Sequence, residues 1–343
     1  MFLDHAPDDA QHAWQVLHPP VQAWDSGWLD VGDGHCIWWE QCGHPGAPTA
    51  LFVHGGPAAG CTAQDRRWFN PQHWRTVLYD QRGCGRSRPL GSLRANHTAA
   101  HVADIERLRQ HLGVERWLLF GGSWGSTLAL AYAQAHPQRV SALVLRGVFL
   151  GTQAETEWLY GSQGAARRHP AAWARLCRAA GVGENVASTA LLPAFWQHLQ
   201  ADDAAPVAAA RAWLRWESDL MDAETTAPAC AVSLPDDQTV LTAARISLHH
   251  ACAGWFLAEG PLLHRLALAK DIPCHIVQGS RDLVTPPGAA RALHAAWPGS
   301  VLTELATAGH ASSHPALARQ LINAVAAFAT VQHTHSKPEM HHA

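Results

Sequence analysis

The sequence predicts an α/β fold, in which a mostly parallel central sheet has helices on both faces and carries an inserted helical cap. Short apolar runs alternate with helical patterns before residue 151, and the same alternation returns after residue 268. The stretch between them is rich in Ala, Arg and Trp and has few strand patterns. We therefore expect a core over 1–150 and 269–330, a cap over 151–268 and a flexible tail over 331–343.

The composition indicates a globular protein without nucleic-acid or membrane partners. The chain has 343 residues, of which 48% are hydrophobic and 15% charged, and its net charge of −3 provides no basic surface for nucleic acid or anionic lipid. No apolar run is long enough to span a bilayer, and the first residues lack the apolar region of a signal peptide. These observations predict a soluble cytoplasmic protein.

Neither the cysteines nor the histidines are spaced like metal ligands. The eight cysteines contain no C-x-x-C pair, which favours reduced thiols over disulfides or a zinc site. Among the 24 histidines there is no H-E-x-x-H motif, and the adjacent His249 and His250 would point about 100° apart on a helix. We expect no metal and no cofactor.

The first elements predict a sheet that begins with a hairpin. Alternating residues over 27–41 surround a Gly-Asp-Gly turn at 32–34, which is typical of an antiparallel edge hairpin. The residues that we expect in its core are Trp28, Val31, Ile37 and Trp39. Apolar strands follow over 50–53, 75–79, 116–120 and 142–145, and helices over 97–112 and 127–133.

The second half predicts helices first and strands afterwards. Helical patterns occupy 171–180, 193–200 and 206–220, whereas 274–279 and 301–305 read as buried strands and 315–330 as an amphipathic helix. The sheet therefore takes strands from both sides of the insertion. We also expect Asp80, Arg82 and Arg86 to form one buried ion-pair and turn network rather than to react.

A G-x-S-x-G motif lies where a predicted strand meets a predicted helix, in Gly121–Gly122–Ser123–Trp124–Gly125. A sharp strand-to-helix turn needs small residues beside the serine, and it exposes the hydroxyl at the mouth of a cleft. A glycine-rich turn without function is the alternative interpretation. The strand before the motif and the helix after it favour Ser123 as a nucleophile.

An acid and a histidine follow the two late strands in the order that a serine nucleophile requires. Asp282 comes directly after the strand over 274–279, and His310 follows the strand over 301–305. Taken separately, Asp282 could cap a turn and His310 could lie in a surface loop. Together they predict a Ser123, Asp282 and His310 triad.

The glycine loop after the strand over 50–53 predicts an oxyanion hole. Its sequence is His54–Gly55–Gly56–Pro57, in which glycines let the backbone approach a substrate oxygen. We expect donors at the N–H of Gly56, with Gly55 as the next choice, and at the N–H of Trp124. A plain Gly-Pro turn is the alternative.

Four motifs together resemble the proline iminopeptidase family of α/β-hydrolases. They are the His-Gly-Gly-Pro loop at 54–57, the segment Asp-Gln-Arg-Gly-Cys-Gly-Arg-Ser at 80–87, the serine motif through 128 and Leu-Arg-Gly-Val-Phe at 145–149. The resemblance implies an α/β-hydrolase fold and the removal of N-terminal proline from peptides without a metal. It also implies the triad named above and pocket roles for Arg146, Phe149 and Tyr160.

The cap carries one of the two acids that the resemblance leads us to expect. The segment Trp213–Leu214–Arg215–Trp216–Glu217 is similar to the family's tryptophan-tryptophan-glutamate segment, which implies that Glu217 binds the substrate's amine. A solvated helix glutamate is the alternative. Where the family usually has a second glutamate, this chain has Ser247, which would also line the pocket.

Two other functions therefore stay open. With Ser247 in place of an acid, an esterase or amidase for a small uncharged acyl substrate is the second enzyme hypothesis. A binding protein that retains the fold without catalysis is the third, because a fold does not determine function. The expected partner is in each enzyme case a small peptide, amide or ester.

Overall fold

The computed structural model describes residues 16–200, 205–222, 235–258 and 261–334, and an eight-stranded sheet forms the centre of this part of the chain. The strands are β1 (Ala23–Gly32), β2 (His35–Gly43), β3 (Thr49–Val53), β4 (Arg75–Tyr79), β5 (Trp117–Gly122), β6 (Val140–Arg146), β7 (Cys274–Gly279) and β8 (Ser300–Leu305). Their order across the sheet is β1-β2-β4-β3-β5-β6-β7-β8.

The sheet is parallel from β4 to β8, and only its first part is antiparallel. β1 pairs antiparallel with β2, and β2 pairs antiparallel with β4. β3 lies between β4 and β5, and the parallel pairs continue through β6, β7 and β8. The carboxyl ends of β3, β5, β6, β7 and β8 therefore lie along one edge, where binding sites of such sheets form. The predicted mostly parallel α/β fold is confirmed.

Helices connect the strands and cover the sheet. They are α1 (Thr98–His111), α2 (Trp124–Ala135), α3 (Gln153–Tyr160), α4 (Pro170–Ala180), α5 (Ser188–Leu199), α6 (Ala205–Asp222), α7 (Asp237–Cys252), α8 (Pro261–His264), α9 (Pro287–Ala296) and α10 (Pro315–Thr334). Between β6 and β7 every described element is helical, and we call α3 to α8 the cap helices. Most of the tail predicted over 331–343 lies outside the described residues.

One cap helix begins earlier than the sequence predicts. The pattern indicates a start at 193, whereas α5 begins at Ser188 and contains Pro193 in its interior. Proline is commonest in the first turn of a helix, so the sequence pattern places the start of this helix at Pro193. In the structure the N–H of Ser188 donates to Glu157 Oε2, on α3, at 2.9 Å. This bond satisfies one of the N–H groups that the first turn of a helix leaves without a partner inside the helix.

Successive residues of β5 face opposite sides of the sheet, and each side has its own core. Trp117 and Leu119 pack in the cluster that includes α1, α2 and the cap helices. Leu118 and Phe120 pack in a second cluster with α10. A strand that is buried on both faces has a continuous apolar sequence, and it holds its carboxyl end rigidly.

Trp28 is exposed, and its assignment to the core was wrong. The inward residues of β1 alternate as Gly27, Leu29 and Val31, so Trp28 faces the other side of this edge strand and is 49% exposed. Its indole Nε1–H donates to the backbone oxygen of Arg86, and the guanidinium of Arg88 lies 4.6 Å from the ring centroid.

The predicted ion-pair network is two networks. Arg86 pairs with Asp80 at 2.7 Å and with Glu40 at 2.9 Å. Arg82 instead pairs with Asp104, a residue of α1, at 2.5 Å and with Asp33. The sequence does not indicate these partners because they come from separate elements.

Within the described ranges, no helix combines the length and apolar character that a membrane span requires.

Candidate active site

A cavity of about 180 Å³ lies between the carboxyl edge of the sheet and the cap helices. All the predicted site residues except Asp282 line it. From the core these are Gly55, Gly56, Ser123, Trp124, Arg146, Phe149 and His310, and from the cap helices Tyr160, Glu217 and Ser247. Residues from Gly55 to His310, which lie far apart in the sequence, thus line one cavity.

Ser123 occupies a strained turn between β5 and α2. Its φ of 56° and ψ of −127° are unusual for a residue with a side chain and cost about 1–3 kcal/mol. Hydrogen bonds hold this turn: the Ser123 N–H donates to Arg146 O at 2.9 Å, and Ser126 donates to Ser123 O from its N–H and from Oγ at 2.7 Å. Phe149 N–H donates in turn to Ser126 Oγ.

His310 and Asp282 form a direct pair beside the cavity. His310 Nδ1 lies 2.7 Å from Asp282 Oδ2, and both side chains are at most 5% exposed. Because a carboxylate accepts hydrogen bonds, Nδ1 of a neutral imidazole carries the proton here and Nε2 is left as the basic atom. The pair has the tautomer that a general base needs.

Four further hydrogen bonds fix the Asp282 carboxylate. Oδ1 accepts from the N–H groups of Val284 and Thr285, and Oδ2 accepts from Thr285 Oγ1 at 2.9 Å and from Gln278 Nε2 at 3.2 Å. Thr285 Oγ1 also lies 3.1 Å from His310 Nδ1. A carboxylate held by several donors keeps its orientation.

The candidate oxyanion donors lie on two segments at adjacent strand ends. Gly55 and Gly56 follow β3, and the N–H of Trp124 is at the N-terminus of α2 directly after β5. Gly56 has a φ of +114°, and a Cβ there would lie 2.6 Å from Ala58 N, so only glycine fits this backbone. The positive end of α2 also faces the serine.

The cap side of the cavity contains one carboxylate. Glu217 Oε1 accepts a hydrogen bond from Tyr160 Oη at 2.8 Å, and Ser247 lines the same cavity. Desolvation raises the pKa of Glu217 to about 7, while the Tyr160 bond acts in the opposite direction. A cation in the cavity would stabilise the ionised form of this group.

Aromatic side chains form the apolar wall of the cavity. Phe149 meets Trp255 edge to face at a centroid distance of 4.8 Å, and Trp255 lies 6.0 Å from Trp124. Tyr160 stacks on Trp213 at 4.6 Å. Such a wall suits a small apolar ring rather than a long charged group.

The sequence comparisons agree on one family. A profile of the alpha/beta hydrolase fold matches residues 48–316. The chain is 41% identical over 311 residues to a proline iminopeptidase from Arabidopsis thaliana, a match that covers 90% of this chain and 80% of that protein. It is 41% identical to a proline iminopeptidase from Neisseria meningitidis serogroup B, with 89% of this chain and 96% of that protein covered.

The chain belongs to the proline iminopeptidase family of α/β-hydrolases.

Solved structures of other hydrolases share the fold of this family member. A hydrolase from Pseudomonas aeruginosa PA01 superposes with a TM-score of 0.59 at 19% identity and covers 90% of this chain and 99% of its own. A proline iminopeptidase-related protein from Thermus thermophilus has a TM-score of 0.54 at 23% identity and covers 89% of this chain and 99% of its own. At these identities the likeness concerns the fold.

Sequence reasoning missed three residues around the site of this proline iminopeptidase homologue. Thr285 and Gln278 bind the Asp282 carboxylate, and Trp255 completes the aromatic wall. Thr285 follows Asp282 by three positions, and an Asp-x-x-Thr turn is a signal that was available. Gln278 and Trp255 lie in apolar stretches of the sequence that contain no motif, so their contacts can be recognised only in the folded structure.

Proposed function

We propose that the protein is a serine hydrolase whose nucleophile is Ser123, with His310 as general base and Asp282 as the acid that orients it. The observation that carries the proposal is the 2.7 Å pair of His310 Nδ1 and Asp282 Oδ2 in the cavity that Ser123 also lines. In this assignment the core is residues 1–150 and 269–330, and residues 151–268 form a cap over it.

The proposed reaction proceeds through an acyl-enzyme. His310 Nε2 takes the proton of Ser123 Oγ as that oxygen attacks the substrate carbonyl, and it then gives the proton to the leaving amine. Water then attacks the acyl carbon while His310 takes its proton, and His310 returns that proton to Ser123 Oγ as the ester bond breaks. Asp282 orients the imidazole and stabilises the imidazolium that forms in each half-reaction.

The negative charge of each tetrahedral intermediate falls on the former carbonyl oxygen. We infer that the N–H groups of Gly56 and Trp124 bind this oxygen, with Gly55 as the alternative donor on the glycine loop. Each such donor contributes about 3 kcal/mol in the transition state.

The proposed substrate is a peptide or small amide with a free N-terminal residue, proline preferred. Its ammonium group would pair with the Glu217 carboxylate, and its ring would pack between Phe149, Tyr160 and Trp255. Arg146 lines the same cavity near His310. The proline iminopeptidase relatives support this choice of substrate.

Ser247 favours a second candidate function. A hydroxyl cannot neutralise an ammonium group, and the carboxylate on the cap side of the cavity, Glu217, is protonated for much of the time below pH 7. The site therefore also suits an uncharged acyl group. The second candidate is therefore an esterase or amidase for a small uncharged acyl substrate.

Three substrates separate the two functions. Proline-β-naphthylamide carries the free amine, N-acetylproline-β-naphthylamide differs only by the blocked amine, and p-nitrophenyl acetate needs no amine site. We expect turnover of the first at least about 100-fold above the second, since the buried charge pair forms only with the first. Equal turnover of the two amides, or turnover of the ester alone, would contradict the aminopeptidase assignment. Ser123→Ala provides the background.

A further inference from the structure

A buried glutamine connects the two segments that carry the candidate oxyanion donors. Gln81 follows β4 and is 1% exposed. Its Nε2 donates to His54 O at 2.8 Å, and its Oε1 accepts from the indole Nε1–H of Trp124 at 3.0 Å. One side-chain amide thus binds both the glycine loop after β3 and the first residue of α2.

His54 extends this link to the next peptide of the glycine loop. The backbone N–H of Gln81 donates to His54 Nε2 at 3.0 Å, so this nitrogen carries no proton. The proton is therefore on Nδ1, which donates to Gly55 O at 2.9 Å. Burial lowers the pKa of His54 to about 4, which keeps the ring neutral and this tautomer in place.

These two hydrogen bonds determine where the donor N–H groups point. The peptide bonds between His54 and Gly55 and between Gly55 and Gly56 are trans. In a trans peptide the C=O and the N–H point in opposite directions. Because Gln81 holds His54 O, the N–H of Gly55 points away from Gln81. In the same way, because the His54 ring holds Gly55 O, the N–H of Gly56 points away from that ring.

The second segment is held at its side chain. The Trp124 ring packs edge to face on His250 at 4.9 Å, and its Nε1–H donates to Gln81 Oε1 at 3.0 Å. Because Trp124 is the first residue of α2, fixing its side chain also limits movement of its own N–H.

We propose that Gln81 is a positioning residue that keeps the two halves of the oxyanion hole aligned. It touches no substrate: it acts through His54 on Gly55 and Gly56, and through the indole on Trp124. The inference rests on the proposed serine chemistry but not on the choice of proline. Its consequence is that loss of Gln81 weakens transition-state binding more than substrate binding.

The test uses Gln81→Glu, which keeps the shape and the acceptor for Trp124 but loses the amide donor to His54 O. Gln134→Glu is the matched control, because Gln134 is also buried and donates to a backbone oxygen, that of Leu262, away from the cavity. Activity is measured on p-nitrophenyl acetate and proline-β-naphthylamide, and binding of phenylboronic acid, which forms a tetrahedral serine adduct, is measured in parallel.

For Gln81→Glu we expect kcat to fall about 10- to 100-fold with KM within about twofold, and phenylboronic acid to bind weaker by a similar factor. Gln134→Glu should keep wild-type values. Trp124→Phe removes the indole donor together with part of the ring that lines the cavity, and it should lower kcat about 3- to 10-fold even if Gln81→Glu does not fold. Folded variants with kcat and boronate affinity within twofold of wild type would overturn the proposal, as would a kcat loss without a boronate effect.

The ester assay allows the role of Gln81 to be tested independently of the proposed preference for an N-terminal proline. If the wild-type protein hydrolyses p-nitrophenyl acetate but not proline-β-naphthylamide, the aminopeptidase assignment fails. The kcat and boronate values of Gln81→Glu with the ester then still decide the role of Gln81.

Discussion

Arg146 Nη1 donates a hydrogen bond to the backbone oxygen of His310 at 2.8 Å, across 164 positions of sequence. The backbone oxygen of the same arginine accepts from the N–H of Ser123 at 2.9 Å. Arg146 is the last residue of β6, and its side chain and main chain thus hold the proposed base and the proposed nucleophile respectively. We therefore expect Arg146 to contribute to the spacing between Ser123 and His310.

Arg146→Met should therefore lower kcat by about 10- to 100-fold, since a displacement of about 1 Å between reacting groups has effects of this size. Arg116→Met is the control, because Arg116 also donates to a backbone oxygen, that of Val140, outside the cavity. The measurement is ester hydrolysis by both variants. Equal kcat values for the two would show that the His310 loop does not need Arg146.

Gly147→Ala should disturb His310 directly. A Cβ at Gly147 would lie 3.0 Å from His310 Cε1 and 3.1 Å from Thr285 Oγ1. Gly113→Ala is the control, since Gly113 has a similar positive φ but no neighbour within 4 Å of the added Cβ. Both substitutions cost about 1–2 kcal/mol of backbone strain. Only Gly147→Ala should lose kcat, by about tenfold, and a similar loss in both would point to strain alone.

Glu217→Gln should raise KM for proline-β-naphthylamide by at least about tenfold and leave p-nitrophenyl acetate hydrolysis unchanged, because only the first substrate carries a cation. The wild-type pH dependence follows from the pKa of about 7 for Glu217 in the empty cavity. Below that pH the carboxyl is increasingly protonated, so the KM ratio of wild type to variant should approach one.

Asp219→Asn is the control for this experiment, since Asp219 lies on the same helix and pairs with Arg175 and Arg215 rather than lining the cavity. The measurement is KM for proline-β-naphthylamide at pH 6 and at pH 8, for the wild-type protein and for both variants. An unchanged KM in Glu217→Gln at pH 8 would exclude Glu217 as the amine site.

The same substitution should stabilise the free protein at high pH. The pKa of Glu217 is raised above its ordinary value of 4.5, so ionisation favours the unfolded state, and this penalty grows as the pH rises from about 4.5 through about 7. At pH 8 we expect Glu217→Gln to melt about 2–4 °C above wild type. At pH 4.5 the two should melt together. A constant difference at both pH values would show that the carboxyl is not desolvated.

Ser247→Glu should strengthen the selectivity for cationic amines. Ser247 lines the same cavity as Glu217 and Tyr160, so a carboxylate at this position would add a second partner for the ammonium group. We expect KM for proline-β-naphthylamide to fall about 3- to 10-fold while turnover of the uncharged ester does not rise. An unchanged amide-to-ester ratio would argue against the assigned amine site.

The triad positions could be predicted because they depend on strand ends. Asp282 follows β7 and His310 follows β8 in the sequence, and a parallel sheet brings such ends to one edge. The elbow at Ser123 could be predicted for a similar reason, since local sequence determines a sharp turn. We propose the catalytic roles of these three residues, and the pair of His310 and Asp282 beside the cavity that Ser123 lines supports that proposal.

The predictions that were wrong, and the contacts that were not predicted, depend on how distant segments pack together rather than on local sequence. Trp28 and Val31 are separated by an odd number of positions in one strand, so they cannot face the same core. The partner of Arg82 is Asp104 on α1, and a carboxylate on another element cannot be chosen from a local pattern. Gln81 and Gln278 likewise acquire their contacts only when distant segments pack together.

The most direct test of the central assignment is the mass-spectrometric mapping of a fluorophosphonate adduct. The account predicts one modified residue, Ser123, in the folded wild-type protein, with labelling at least about 100-fold slower in folded His310→Ala because the base is missing. An adduct on a different residue, or labelling of Ser123 at the same rate with and without His310, would contradict it.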